Sequence, residues 1–264
     1  MRGEAVRAST LVAVVTGAGR GLGAATAREL GRRGHHVIVN YRNGAETAQA
    51  VVDDIVAKGG SAQAAAADVC DEGQVTALVE TVMAEHGRID VLVCNANTVN
   101  PTFVPLASLG WDDFVGKITG ELAGAFFVTK AVLAVMREQH GGQIIYVSST
   151  AADYVGSGRI GQGTAKAALN TFSRHVAAEA AAHGIAVNTV APGAVLTEAS
   201  AKMITGDRRK HLNDNSILGR VAEPDDVAAV IGLLTEPGMR PVTGAMVRVD
   251  AGFGVLVGGP SSSA

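Results

Sequence analysis

Short runs of apolar, often β-branched residues alternate along this chain with longer segments that have a helical pattern. Because these runs are continuously apolar, they predict strands of a parallel sheet that is buried on both faces. Right-handed crossovers between such strands give an α/β class, a doubly wound Rossmann fold with about seven strands flanked by helices. The predicted strands are 11–15, 37–40, 62–67, 91–94, 144–148, 186–190 and 245–249, and the predicted helices are 22–33, 45–58, 71–86, 120–139, 162–183 and 224–234.

A length of 264 residues without an internal repeat or a linker suits one domain spanning 1–264. Hydrophobic residues make up 47% and charged residues 18%, a balance that supplies a buried core and excludes disorder. The net charge is -3, basic residues are scattered and aromatic residues reach only 4%, so a nucleic-acid-binding surface is not expected.

The two cysteines, Cys70 and Cys94, lie in apolar segments without metal-ligand spacing, so they predict reduced core residues and no metal site. Reduced cysteines are typical of a cytoplasmic protein. No run of eighteen apolar residues predicts a membrane span, and the charged segment 1–10 does not resemble a signal peptide. The glycine-, proline- and serine-rich tail 258–264 is expected to be flexible.

A glycine-rich segment, 16–23, follows the first predicted strand and opens the first predicted helix. Glycine permits positive φ and close approach of the backbone to a ligand. The start of a helix offers unpaired N–H groups and a positive dipole end to a pyrophosphate. A tight turn without a ligand is the alternative. The position between a strand and a helix favours a dinucleotide-binding loop.

The spacing of Gly17, Gly21 and Gly23 resembles that of the short-chain dehydrogenase/reductase family, and the resemblance extends over nearly the whole chain. Segments 68–69, 95–96, 148–149, 187–193, 223–228 and 243–250 match the family's further signatures. Within the family the chain is most similar to the bacterial 3-oxoacyl carrier-protein reductase-like group. The resemblance implies a nicotinamide cofactor bound by Gly17, Arg20, Gly21, Leu22, Gly23, Asn40, Tyr41, Arg42, Asp68, Val69, Asn95, Ala96, Lys166, Pro192, Gly193, Val195 and Thr197.

The residues after the second strand indicate which dinucleotide is preferred. NAD-specific Rossmann proteins place an acidic residue there to bind the ribose hydroxyls, but this chain has Asn40, Tyr41 and Arg42. Arg20 lies in the glycine loop, and two guanidinium groups at one place suit a 2′-phosphate. We therefore predict NADP(H) rather than NAD(H), with two merely solvated arginines as the alternative.

The resemblance implies a catalytic Tyr-x-x-x-Lys motif, with a serine thirteen residues before the tyrosine. Lys166 matches the lysine, but Gln162 occupies the tyrosine position. Ser149 stands thirteen residues before Gln162, and both neighbours of Gln162 are glycines, so no change of register supplies a tyrosine. Glutamine donates hydrogen bonds but does not ionise near neutral pH, so it does not act as a general acid.

Two further positions depart from the family's pattern. Glu121 falls near the place of the family's supporting asparagine, and Asn97 stands where the signature has glycine. Asparagine tolerates a left-handed backbone better than other side chains, so this loop is expected to form.

Tyr154 is our first candidate for a substitute proton donor, since it lies on the loop after Ser149. Of the other tyrosines, Tyr41 belongs to the cofactor end of the second strand and Tyr146 lies inside the fifth. A residue that only shapes the pocket wall is the alternative for Tyr154. Glu121 is the second candidate, as a charge partner of Lys166 or an acid–base group, with a solvated helix charge as its alternative.

Three functions remain open at this point. The first is an NADP(H)-dependent reduction of a ketone or imine of a small or carrier-bound substrate, with a rearranged proton path. The second is a non-redox isomerase, dehydratase or cyclase on the same scaffold. The third is a catalytically silent, cofactor-binding partner subunit. The resemblance also implies a homotetramer or homodimer formed through the two long helices, and a substrate-covering lid at 197–218.

Overall fold

The structure is a computed structural model that describes residues 10–255. The sequence predictions for the charged N-terminal segment, Thr10 apart, and for the tail 258–264 lie outside the described residues. The strands are β1 Val12–Val15, β2 His36–Tyr41, β3 Ser61–Ala66, β4 Val91–Cys94, β5 Gly142–Val147, β6 Ile185–Pro192 and β7 Met246–Val249. The helices are α1 Gly21–Arg32, α2 Ala45–Ala57, α3 Glu72–His86, α4 Trp111–Glu138, α5 Ile160–Ala180, α6 Glu198–Ala201, α7 Gly206–Asp214 and α8 Pro224–Leu234. Short 3-10 turns lie at Leu106–Ser108, Thr150–Ala152, Ala181–His183 and Pro237–Met239.

The seven strands form one sheet in the order β3-β2-β1-β4-β5-β6-β7, and every neighbouring pair is parallel. The predicted single-domain, doubly wound α/β fold is confirmed. The strand order reverses between β1 and β4, and such a switch point opens a crevice at the carboxyl ends of the strands. The loops after β1, β2, β4, β5 and β6 all begin at this end of the sheet.

Both faces of the sheet are covered by apolar helix faces, which explains the continuously apolar strands. Along β1, Val12 and Val14 point into a core shared with α3, α4 and α5. Ala13 and Val15 point into the opposite core, which α1, α2 and α8 complete. The sheet thereby becomes a rigid layer that fixes the loops at its carboxyl edge.

Helix α4 begins nine residues before the predicted start, at Trp111. Asp112 and Asp113 in its first turn favour a helix start through the dipole. Gly116 and Gly120 obscured the helical pattern, because glycine has low helix propensity. A Cβ atom at Gly120 would lie 2.6 Å from Val99 Cγ2, so glycine here lets the loop after β4 pack against the helix.

Within the described part of the chain, α4 alone is long and apolar enough, by length and composition, to cross a membrane. The core helices of soluble proteins pass the same test. One face of α4 packs against the sheet through Val128 and Val132, in the core that it shares with α3 and α5.

The segment 197–218, predicted to be a lid, contains the short helices α6 and α7. No residue of α7 is buried, although it follows directly on a segment that borders the crevice. Its role as a cover for the substrate stays a prediction.

Tyr146 lies in the middle of the core and has no solvent-exposed surface. Its hydroxyl shares a 2.8 Å hydrogen bond with Thr129 Oγ1 on α4. Burial raises the pKa of the Tyr146 phenol well above its usual value. This tyrosine therefore belongs to the architecture of the fold.

We predict that Tyr146→Phe lowers the free energy of unfolding by about 1–3 kcal/mol, because it leaves the buried Thr129 hydroxyl with only the Cys94 sulfur, a weak partner at 3.9 Å. Urea denaturation measures this loss. Adding Thr129→Val removes both polar partners and should recover most of it. Equal or greater destabilisation of the double variant would contradict the pairing.

Candidate active site

The glycine loop between β1 and α1 has no room for side chains at two of its glycines. A Cβ atom at Gly23 would lie 2.3 Å from the carbonyl oxygen of Gly17, and one at Gly17 would lie 2.9 Å from Ala96 Cα. Gly17 and Gly21 also have positive φ, of 62° and 54°. The loop conformation therefore requires glycine on steric grounds.

Hydrogen bonds between the ends of β1 and β4 hold this loop in place. The Thr16 hydroxyl oxygen accepts from the N–H groups of Asn95 and Ala96, at 2.9 and 3.1 Å. The Asn95 amide donates to the carbonyl oxygens of Thr16 and Gly17. No acidic side chain occupies the first turn of α1, so its positive dipole end faces the loop uncompensated. These features fit a bound pyrophosphate.

Asn40 proves to be a structural residue at the end of β2. Its side chain is buried, accepts from the Gly17 N–H at 3.3 Å, and donates to the carbonyl oxygens of Ala65 and Ala67. These bonds join the ends of β1, β2 and β3. Because its polar atoms are used within the protein, Asn40 shapes the cofactor site through the backbone rather than through its own amide.

The side chains next to Asn40 face solvent at the edge of the crevice. Arg42 is exposed and its Nη1 atom lies 3.5 Å from Asp68 Oδ2, a long surface ion pair that binds weakly. Arg20 is also exposed, in the glycine loop, and Tyr41 is half-buried. Asp68 accepts from the Cys70 N–H, which fixes the turn after β3.

The opposite wall of the crevice follows β6. A Cβ atom at Gly193 would lie 2.6 Å from Asp250 Cβ, so glycine lets the chain turn after Pro192. Thr197 caps α6 by accepting from the Ser200 N–H at 3.2 Å. A Cβ atom at Gly21 would be 3.9 Å from Thr197, which places the start of the predicted lid beside the glycine loop. The remaining predicted residues are distributed as follows: Leu22 in α1, Val69 buried after β3, and Val195 bridged to Ala222.

The structure brings Ser149 and Lys166 together at the end of β5. The Ser149 hydroxyl accepts from the Ala151 N–H at 3.2 Å, and Lys166 Nζ donates to the Val147 carbonyl at 2.8 Å. A Cβ atom at Gly163 would lie 2.8 Å from the Ala151 carbonyl oxygen, so glycine lets α5 approach this loop closely.

Gln162 lies one helical turn before Lys166 on α5. Its Oε1 atom is buried and has no hydrogen-bond partner among residues 10–255. A buried, unpaired amide oxygen is costly, and a bound molecule with a donor group would satisfy it. The Gln162 amide is thus suited to contact a ligand, although it carries no ionisable proton.

Glu121 is the partner of Lys166. Its Oε1 atom lies 2.5 Å from Lys166 Nζ, and its Oε2 atom lies 2.7 Å from Nζ of Lys117, one turn earlier on α4. Lys117 also donates to Asn97 Oδ1 at 2.9 Å. The alternative of a solvated helix charge is wrong, because the Glu121 side chain is only 4% exposed.

The electrostatics of this cluster keep the carboxyl group ionised. Burial alone would raise the pKa of Glu121, but the Lys166 and Lys117 ammonium groups together hold it below its usual value. Burial lowers the pKa of Lys117, and Glu121 partly opposes this shift. At neutral pH, Glu121 therefore accepts hydrogen bonds and does not supply a proton.

Asn97 does not need the left-handed backbone that its position suggested. In the described part of the chain, the residues other than glycine with positive φ are His140 and Ala251. The Asn97 side chain instead bonds to Lys117 and to Asn100. The Asn97 side-chain oxygen accepts a hydrogen bond from Lys117, which a glycine at this position could not do.

Tyr154 is directed away from the Lys166 cluster. Its hydroxyl donates to the Phe253 carbonyl at 3.1 Å and lies 3.4 Å from Asp250 Oδ2, while the Arg248 guanidinium lies over its ring. This geometry favours the alternative, a residue that fastens the wall of the crevice. Its role as an acid stays a prediction.

Sequence reasoning missed Lys117, which the structure shows to be 1% exposed. The available signal was the four-residue spacing between Lys117 and Glu121, which places both on one face of a helix. Among the described residues, no group of three or more histidine, cysteine, aspartate or glutamate side chains could hold a metal ion.

Comparison with known proteins extends over nearly the whole chain. A family model described as Enoyl-(Acyl carrier protein) reductase matches residues 17–254. A 3-oxoacyl-[acyl-carrier-protein] reductase of Synechocystis sp. is 38% identical over 248 residues, 92% of this chain and 96% of the relative. The short-chain reductase protein NovJ of Streptomyces niveus is also 38% identical, over 91% of this chain and 93% of its own length.

A solved structure is also similar to this chain over nearly its whole length. A 7α-hydroxysteroid dehydrogenase, solved with NADH and 7-oxo glycochenodeoxycholic acid, superposes with a TM-score of 0.87 at 30% identity. The match covers 92% of this chain and 94% of that chain.

We predict that Glu121→Gln destabilises the protein by about 3–5 kcal/mol at pH 7, because two buried ammonium groups lose their shared counter-charge. A carboxyl group with a lowered pKa in the folded state stabilises the protein above its unfolded pKa of about 4.3. This contribution is lost as the pH falls through the folded pKa, so wild type and variant should converge in acid.

Denaturant titrations from pH 7 downwards measure both effects. Glu72→Gln is the matched control, since Glu72 pairs with Lys130 on the surface and its loss should cost at most about 1 kcal/mol. Equal losses for the two variants at pH 7 would contradict the buried network.

Proposed function

The chain belongs to the short-chain dehydrogenase/reductase family, and we propose that it is an NADP(H)-dependent oxidoreductase with a proton donor other than the family's tyrosine. Its substrate is a ketone or an imine of a small or carrier-bound molecule. The observation that carries the proposal is the Lys166 ammonium, fixed beside Ser149 at the end of β5 with two of its three donors occupied. The third remains for a nicotinamide ribose.

The preference for NADP(H) is supported by charge at the adenosine end of the crevice. Arg20 and Arg42 are exposed there. Asn40, which stands where NAD-specific proteins begin the segment with the acidic residue, is neutral and buried. Arg42 needs to give up only a 3.5 Å contact with Asp68 to bind a phosphate. The solved 7α-hydroxysteroid dehydrogenase holds NADH, so NAD(H) is the alternative that the binding test below must exclude.

NADP(H), when bound, supplies or accepts the hydride. The chain's own residues bind and orient the reactants. The glycine loop and the start of α1 hold the pyrophosphate, the Ser149 hydroxyl donates to the substrate oxygen or nitrogen, and the Gln162 amide contacts the same end of the substrate. None of these groups supplies a proton by ionising at neutral pH.

The proton must therefore come from another group. Glu121 is held ionised, and the Tyr154 hydroxyl bonds to the C-terminal segment. Of the described ammonium groups, that of Lys166, one turn from Gln162, keeps one N–H that can face either the ribose or the substrate, and Glu121 binds its other side. Without a phenol in place, we expect slow reduction of ordinary ketones.

The proposal that the substrate is bound to a carrier protein is supported by the names of relatives. The Synechocystis relative is an acyl-carrier-protein reductase by name, and a carrier-bound substrate suits a crevice that opens beside an exposed segment such as α7. We also propose a cytoplasmic homotetramer or homodimer, without membrane or nucleic-acid partners. Phe126, 47% exposed on α4 and beside Phe172, offers an apolar surface for such an assembly.

Replacing the amide by a phenol tests the mechanism directly. We predict that Gln162→Tyr accelerates NADPH-linked reduction of a β-keto thioester, acetoacetyl coenzyme A, by about 10²–10⁴-fold, because the variant gains a proton donor. Gln162→Phe, with the same ring and no hydroxyl, should gain nothing. Stopped-flow loss of NADPH absorbance measures the step. A wild-type rate equal to that of Gln162→Tyr would contradict the proposal that the wild type lacks an efficient proton donor at this position.

The cofactor preference has its own test. We predict that Arg42→Ala raises the Kd for NADPH by about 10–100-fold, because a charge-assisted hydrogen bond to phosphate is lost, and leaves the Kd for NADH unchanged. Arg28→Ala is the control, since Arg28 pairs with Asp54 on the surface between α1 and α2. Fluorescence titration provides the constants. Tighter binding of NADH than of NADPH by wild type would refute the preference.

A further inference from the structure

Lys117 is a lysine with almost no access to water. Its side chain is 1% exposed, and the start of α5 packs against it, since a Cβ atom at Gly161 would lie 4.0 Å from Lys117 Cβ. A buried ammonium is expensive unless it is paired and hydrogen-bonded. The residues that line the crevice do not explain why this lysine is buried, so its hydrogen-bond partners must.

The partners of Lys117 connect three parts of the molecule. Its Nζ atom donates to Asn97 in the loop after β4 and to Glu121 on its own helix, and Glu121 binds Lys166 on α5. Lys166 in turn donates to the end of β5. One continuous line of hydrogen bonds thus runs from the loop after β4 to the residue that faces the dinucleotide.

The charges in this line do not cancel. Two ammonium groups share one carboxylate, which leaves a surplus positive charge. Without Lys117, the carboxylate would belong to Lys166 alone, and the pair would present no net charge to the crevice. With Lys117, each oxygen of Glu121 has its own partner, so Lys166 is held in position and keeps a positive field.

We propose that Lys117 is a positioning residue, which binds one oxygen of Glu121 so that the other fixes Lys166 and leaves its charge available to the dinucleotide. The last clause rests on the proposed function, whereas the coupling of Lys117 to Glu121 does not. Within the described residues, Lys117 has no hydrogen bond to the glycine loop or to Ser149, and it reaches Lys166 through Glu121.

The titration of Glu121 reports on this coupling. The groups that face it are Lys117 on α4, Lys166 on α5, the Cys94 thiol at the end of β4 and the Cys70 thiol after β3. Burial raises the pKa of Cys94 to about 12 and also raises that of Cys70, so both thiols stay neutral near pH 7. The two lysines therefore govern the charge of Glu121.

The first experiment compares Lys117→Met with Lys130→Met, an exposed lysine on the same helix, in the protein without added dinucleotide. We expect the Tm of Lys117→Met to fall by about 10 °C and that of Lys130→Met by at most about 2 °C. The acid unfolding midpoint of Lys117→Met should move to higher pH, because Glu121 keeps its burial and loses one of two ammonium partners. Lys130→Met should not move it.

The second experiment adds Glu121→Gln to Lys117→Met. If Lys117 serves Glu121, the double variant should lose clearly less Tm than the sum of the losses of Lys117→Met and Glu121→Gln, because the second substitution removes an interaction that the first has already disrupted. Where Lys117→Met alone is too unstable to study, the double variant compared with Glu121→Gln still gives the coupling. Titration with NADPH should give a Kd about 10-fold weaker for Lys117→Met and a smaller loss for the double variant, in which Lys166 has an unshared charge but lacks the carboxylate that fixes it.

Additive losses of Tm in the double variant would overturn the proposal, and so would an unchanged acid midpoint in Lys117→Met. If the Tm losses are non-additive but all variants bind NADPH with equal affinity, the claim that Lys117 leaves the charge of Lys166 available to the dinucleotide is wrong. Failure of wild type to bind either dinucleotide would instead refute the proposed function and leave the coupling of Lys117 to Glu121 supported.

Discussion

A single buried carboxylate organises the chemical end of this molecule. Glu121 is tolerated in the interior because each of its oxygens binds an ammonium group, and neither lysine would be stable there without it. Through these bonds α4, α5, the loop after β4 and the end of β5 become one unit. The position of Lys166 beside the end of β5 is therefore fixed from both α4 and α5.

The cofactor end and the catalytic end of the crevice have diverged to different extents. At the cofactor end, steric and hydrogen-bond requirements are all met, from Gly23 to the Thr16–Asn95 bonds. At the catalytic end, Gln162 stands where the resemblance predicts a tyrosine, and Glu121, paired with Lys117, lies near the predicted place of the supporting asparagine. These changes belong together, since Glu121 without Lys117 would neutralise Lys166. The chain is thus an oxidoreductase-family protein with an unusual electrostatic environment beside a family cofactor loop.

Much of the fold followed from the sequence, because β-branched apolar runs and helical periodicity are local signals. Strand β4 and helix α8 were predicted with their observed bounds. The start of α4 is not evident from the sequence because Gly116 and Gly120 weaken the helical pattern, and only the loop after β4 reveals that Gly120 serves packing. Asn40 is a predicted cofactor residue, and only the pairing of the strands reveals that its amide also bonds to the ends of β1 and β3.

From the sequence by itself we predict that no tyrosine stands at the family's catalytic position, because the covalent spacing of Ser149, Gln162 and Lys166 admits no other register. The sequence also indicated the glycine loop, because the glycine spacing between a strand and a helix is a local signal, although Asn95 and Ala96 hold that loop in place. Only the tertiary structure decided that Glu121 reaches Lys166, 45 residues away, and that the Tyr154 hydroxyl bonds to Phe253 instead. Contacts between distant residues depend on how helices and loops pack across the sheet, and no local pattern encodes that packing.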